Sequence, residues 1–147
     1  MRSVRLWLVF PLALLFLLTC GPVKTPDGLT ASLALDRTEY FSGDTLRFWL
    51  TFRNPTTRTR SVTTTETPVY EVIVSDSLDA GVIHFPGAYL QVFSTLTLPP
   101  GDSATDSASF MLTHGRIPLL PGEYRVRGKL LGYDLPYAEQ PITVTLQ

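Results

Sequence analysis

From Leu29 onward, apolar and polar residues alternate with a period of two, the pattern of strands that bury one face. Leu29, Ala31, Leu33 and Leu35 outline the first such face. Ser42-Gly43-Asp44 then turns the chain. Leu46, Phe48, Leu50 and Phe52 alternate with Arg47, Trp49, Thr51 and Arg53 and predict the clearest strand. Asn54-Pro55 ends it, because proline lacks the amide proton a ladder needs and asparagine tolerates turn dihedrals. Pro68 to Ser75 predicts another strand, with Tyr70, Val72 and Val74 on one side and Val69, Glu71 and Ile73 on the other. Residues 82–98 hold one or two shorter strands around Pro86-Gly87, and Pro99-Pro100-Gly101-Asp102 is a turn. Ala104, Asp106, Ala108, Phe110 and Leu112 then share a face, with Asp106 expected near an edge. Tyr124, Val126, Gly128 and Leu130 form the next inner face, and Ile142, Val144 and Leu146 the last. Phe48, Leu50, Tyr124 and Val126 are thus expected inside, and Arg47, Thr51, Arg125 and Arg127 outside, since a one-residue slip reverses every face. The Thr-rich segment 54–67, with the basic cluster Arg53, Arg58 and Arg60, reads as a solvated loop.

No helical pattern follows residue 28, and turn signals recur throughout. Short strands at such spacing predict an all-β, immunoglobulin-like β-sandwich of about seven to nine antiparallel strands. Pro121-Gly122-Glu123-Tyr124 sharpens this, placing a tyrosine just after a tight turn, where sandwiches of this class bond its hydroxyl back to the backbone.

The N-terminus has a different pattern. Arg2 and Arg5 precede an apolar run, Leu6 to Leu18, broken only by Pro11. As a helix the run measures about 20 Å, short of the about 30 Å of a bilayer core, so an export signal is predicted rather than a span. Leu17-Leu18-Thr19-Cys20 resembles the lipobox of bacterial lipoproteins, in which the cysteine is acylated and becomes the mature N-terminus. Threonine at 19 stands where that pattern usually has Gly, Ala or Ser. The domains expected are a lipoprotein-type signal peptide (1–19), with its helix ahead of the sandwich, a lipid-anchored tether (20–28), and the β-sandwich (29–147). Cys20 is the expected lipidation site, and a bacterial envelope membrane the expected location.

Removing residues 1–19 discards two arginines and no acid, moving the formal charge from −1 to −3. So mild a charge suggests neither nucleic acid nor an anionic membrane surface as partner. A single cysteine excludes an internal disulfide. His84 and His114, the only histidines, lie in separate segments without a metal-ligand motif, and no nucleophile elbow of the G-x-S-x-G kind is present. No cofactor, metal or catalytic residue is therefore expected. Trp49 falls on the polar face of its strand, either covered by neighbouring structure or left as an exposed binding aromatic.

The order of motifs resembles the BsuPI family, the intracellular proteinase inhibitor domain and its exported relatives. An alternating strand ends in Asn54, and Pro68-Val69-Tyr70 runs into Val72-Ile73-Val74 and Asp76. Phe85-Pro86, Phe93, and Leu96-Thr97-Leu98-Pro99-Pro100-Gly101-Asp102 follow. A strand with Phe110 comes next, then Leu120-Pro121-Gly122-Glu123-Tyr124-Arg125-Val126 and Gly128. The resemblance runs from about residue 33 to 131. Phe85 and Phe110 stand near places where the family tends to carry tryptophan, and Tyr70-Glu71 replaces its Tyr-Asp pair. The resemblance implies a non-catalytic proteinase inhibitor whose partner is a subtilisin-like protease, and it transfers no inhibitory residue. Loops 76–81, 84–89 and 113–121 are the candidate contact segments, each with glycine or proline between strands. The alternative is a general envelope interaction or assembly module that binds a protein or polysaccharide, since this fold class hosts both.

Overall fold

The computed structural model describes residues 23–24, 28–131 and 137–147. The signal peptide, Cys20 and most of the expected tether lie outside the described residues. The described chain forms thirteen strands: β1 (Val23–Lys24), β2 (Thr30–Leu35), β3 (Glu39–Phe41), β4 (Thr45–Arg53), β5 (Arg60–Thr64), β6 (Tyr70–Ser75), β7 (Gly81–Phe85), β8 (Ser94–Leu98), β9 (Ser103–Met111), β10 (Thr113–His114), β11 (Ile117–Pro118), β12 (Gly122–Leu130) and β13 (Ala138–Thr145). One sheet has the order β1-β2-β4-β9 and the other β3-β13-β12-β6-β7. Two short ribbons, β5-β8 and β10-β11, complete the structure.

The two main sheets face one another across a single apolar core, as an all-β sandwich requires. Leu46, Phe48, Leu50 and Phe52 supply one inner face, and Val72, Val74, Val126 and Leu130 the other, all essentially inaccessible to water. The sheets approach closely at Gly128, where a Cβ would lie 2.8 Å from Leu50 Cδ1. Phe48 packs edge-on against Phe85 (5.5 Å between centroids) and Tyr70 (6.1 Å). Phe85 and Phe110 stack at 5.5 Å. They sit on β7 and β9, the last strands of the two sheets on that side, so their stack helps close the mouth of the sandwich. Asp106 lies on β9 and is exposed, at the expected edge.

Four expectations need correction. Segment 54–67 is not simply a solvated loop: Arg60–Thr64 is a strand paired with β8, burying Val62 and Thr64 while Ser61 and Thr63 bond to Thr97 and Thr95 on the outer side. Tyr124 is only half-buried, because it stands at the rim of its sheet. Arg127 and Thr51 are half-buried rather than exposed, Arg127 because its guanidinium lies between Asp79 and Glu139. Leu146 is exposed, since the last strand stops at Thr145.

Between β2 and β3 the chain also crosses from one sheet to the other. β3 pairs parallel with β13, so one N-terminal stretch contributes an edge to both layers.

Candidate functional site

The pairing register sorts the loops between the two ends of the sandwich. Ser75 pairs with Gly81 and with Arg125, and Gly122 with Val144. Loops 76–81 and 113–121 therefore share an end with the 41–44 turn and the C-terminus. Phe85 pairs with Val72, and Thr67 bridges to Leu90, which sends loop 84–89 to the opposite end. The three candidate segments do not form one surface.

At the first end, loop 113–121 is a hairpin. Thr113 pairs with Pro118 and His114 with Ile117, leaving Gly115 and Arg116 as a two-residue turn. Gly115 has φ +65°, the sign a type II′ hairpin demands at its first central residue. The base of the hairpin is fixed from several directions. The Leu119 N–H donates to the Leu112 carbonyl (2.9 Å), and the Leu112 N–H to Asp44 (2.8 Å). Leu112 and Leu119 are buried beneath it. The Ser42 hydroxyl donates to the Leu119 carbonyl, and the Tyr124 hydroxyl to that of Leu120 (2.9 Å). The tyrosine corner expected from Pro121-Gly122-Glu123-Tyr124 is thus formed. Burial, and then the Asp76 carboxylate, raise the Tyr124 phenol above its ordinary pKa. His114 Nδ1 donates to the Val82 carbonyl (2.8 Å), tying the hairpin to β7.

Loop 76–81 is equally ordered by its own carboxylates. Asp76 Oδ1 accepts from the N–H groups of Leu78 (2.9 Å) and Ala80 (3.0 Å), an Asx-turn arrangement. Asp79, held at φ +60°, accepts from Arg127 (2.6 Å) and Arg125 (3.3 Å). The outcome is that large apolar side chains point outward from braced backbone: Leu78 is 86% exposed, Leu120 74% and Ile117 68%. Phe41, Met111 and Leu146 are further exposed apolar residues of this end. A cleft of about 350 Å³ beside loop 76–81 is lined by Glu39, Asp76, Glu123, Tyr124 and Arg125 among others, a mixed-charge rim.

The opposite end is organised around Asn54. Its Nδ2 donates to the carbonyls of Arg58 (2.8 Å), Leu98 (2.8 Å) and Pro99 (3.1 Å), and its Oδ1 accepts from the Thr56 N–H (3.0 Å) and hydroxyl (2.6 Å). Loop 84–89 leads there to exposed Leu90, Val92 and Phe93.

His84 is exposed on β7, and His114 serves as the hairpin tie just described. Among the described residues no group of three or more His, Cys, Asp or Glu is placed to hold a metal. Of the Arg53, Arg58 and Arg60 cluster, Arg53 and Arg58 are exposed and Arg60 is half-buried with its Nε inaccessible to water. Trp49 lies on the outer side of β4 and is 36% exposed. The hairpin's turn was readable from Gly115; the exposure of Leu78, Ile117 and Leu120 was not, because single apolar residues in loops carry no periodicity.

A family model described as BsuPI, intracellular proteinase inhibitor, matches residues 33–134. No curated protein matches the sequence. Among solved structures, Spo0M, a sporulation control protein from Bacillus subtilis, superposes with a TM-score of 0.53 at 14% identity, covering 87% of this chain and 51% of that one. A β-glucosidase from Erythrobacter marinus gives 0.52 at 16% identity, covering 80% of this chain and 15% of the enzyme. At such identities these likenesses describe the sandwich fold alone, and the chain spans only a small part of the glucosidase's length.

Proposed function

The chain belongs to the BsuPI family of intracellular proteinase inhibitors, which points to a non-catalytic protein with a protease partner, and from that premise we propose that it inhibits by occlusion, using the end that carries loops 76–81 and 113–121. The observation that carries this reading is the braced hairpin. An inhibitor gains affinity when its contact residues are held in place before binding, since less conformational freedom is lost on association. Ile117, Leu120 and Leu78 are large, exposed and mounted on backbone fixed by Tyr124, His114, Ser42 and Asp76. A protease-inhibitor contact buries about 800 Å² on each partner, an area within reach of two neighbouring loops. Subtilisin-like specificity, export and anchoring through an acylated Cys20 belong to the same proposal.

Titration of subtilisin-like and trypsin-like serine proteases with the full chain, read as residual peptide hydrolysis, tests it. Inhibition of the subtilisin-like enzyme is expected, with loss in Ile117→Asp and retention in Phe93→Asp at the far end. Equal inhibition by both variants, or none by the wild type, would refute the assignment. Intact-mass analysis of membrane-extracted protein tests the anchor, and an unmodified Cys20 thiol would remove it.

A further inference from the structure

The two outer faces of the sandwich treat charge differently. On the five-stranded sheet, the cations are matched. Arg125 and Arg127 meet Asp79 (3.3 and 2.6 Å), Arg127 also faces Glu139 (3.3 Å), and Lys129 meets Glu71 (3.0 Å). Burial works against the Lys129 charge, yet the bonds with Glu71 and Tyr137 outweigh it and raise its pKa. On the four-stranded sheet, the outward positions of β4 are Thr45, Arg47, Trp49, Thr51 and Arg53. Those of β2 are Thr30, Ser32 and Ala34, and those of β9 are Ser103, Thr105, Ser107, Ser109 and Met111. None of them is an acid, and among the described residues neither Arg47 nor Arg53 makes an ion pair. Asp36, just past the end of β2, already accepts from the Arg47 backbone N–H and lies 2.8 Å from the Tyr40 hydroxyl.

Trp49 stands between these two arginines. Its cross-strand neighbours are Ala34 and Ser107, too small to cover an indole. Beside it, the hydroxyls of Thr51 and Thr105 are bonded to each other (2.8 Å) within a row of exposed β9 hydroxyls. Outward residues of a strand recur about every 7 Å, so Arg47 lies about 7 Å to one side of Trp49 and Arg53 about 13 Å to the other.

We infer that this face is a platform for an acidic polysaccharide, with a sugar ring stacked on Trp49 and its carboxylates paired with Arg47 and Arg53. A pyranose ring has an apolar C–H face that suits the electron-rich face of an indole. Its rim of hydroxyls both donates and accepts, as serine and threonine hydroxyls do. A guanidinium matches a carboxylate with two parallel hydrogen bonds. Single-stranded nucleic acid instead favours successive stacking aromatics, and this face has one. The site is separate from the hairpin end, and the inference stands apart from the inhibitor reading.

The test is affinity electrophoresis of the full chain through gels containing polygalacturonate, with dextran, single-stranded DNA and phosphatidylglycerol vesicles as competitors. Retardation by polygalacturonate that weakens with added salt is expected. Trp49→Ala should weaken binding about tenfold, Trp49→Tyr should preserve most of it, and Arg47→Gln with Arg53→Gln should remove the salt dependence. All variants should keep the wild-type unfolding midpoint and protease inhibition. No retardation, equal retardation of Trp49→Ala, or displacement by DNA or vesicles in preference to the glycan would overturn the proposal.

Discussion

The two ends of the sandwich are built on opposite principles. At one, a fully buried polar side chain turns inward: Asn54 spends its donors and acceptor on five neighbouring groups and joins segment 54–58 to the 98–101 turn. At the other, polar groups brace the backbone so that apolar side chains can turn outward. A hydrogen-bond network therefore serves closure at one end and presentation at the other. Stability should be concentrated at the first, and contact at the second.

Asn54→Ala should break the closure most severely. It leaves three carbonyls without their side-chain donor, and each buried unpaired group costs about 1–3 kcal/mol. A loss of about 3 kcal/mol in urea denaturation is expected, and a loss below about 1 kcal/mol would show that water replaces the amide.

A smaller effect is expected at high pH at the presenting end. Tyr40 is buried beside the 41–44 turn, and burial, followed by its bond to Asp36, raises its phenol well above the ordinary value of 10.0. The unfolded chain therefore releases this proton first. Its contribution is complete below pH about 10 and declines as pH rises toward the folded value, at up to about 1.4 kcal/mol per pH unit. Thermal unfolding followed from pH 8 to 11 should show this decline, reduced in Tyr40→Phe. Identical slopes for both proteins would assign the alkaline response to other tyrosines.

The smallest effect sharpens the contrast. Ile117→Ser with Leu120→Ser should change stability by less than about 0.5 kcal/mol per site, because both side chains already face water. A larger loss in the same urea assay would mean that the hairpin tip supports the fold instead of displaying a surface.

The sequence made the sandwich legible wherever one face of a strand is continuously apolar. Leu46 to Phe52 and Tyr70 to Val74 fall on the inner faces their alternation required, because a period of two admits only two orientations. The resemblance to BsuPI was legible too, through the order of turns between those strands. Arg60–Thr64 was missed because Val62 is its one buried apolar residue and the rest is Arg, Ser and Thr. Glu39–Phe41 is too short to show a period, and its partner, β13, is about a hundred residues away. The candidate loops were visible through Gly and Pro. Their separation onto two ends was not, since it depends on long-range register between Ser75, Gly81 and Arg125.

The placement of Trp49 has a spectroscopic consequence. The chain has two tryptophans, Trp7 and Trp49, and the core aromatic cluster consists of Phe48, Tyr70, Phe85 and Phe110. Cleavage before Cys20 would remove Trp7 and leave one indole, seated on the outer wall. Its emission would then report occupancy of that wall while remaining largely blind to the interior, so the mature protein would carry a built-in optical sensor for one surface.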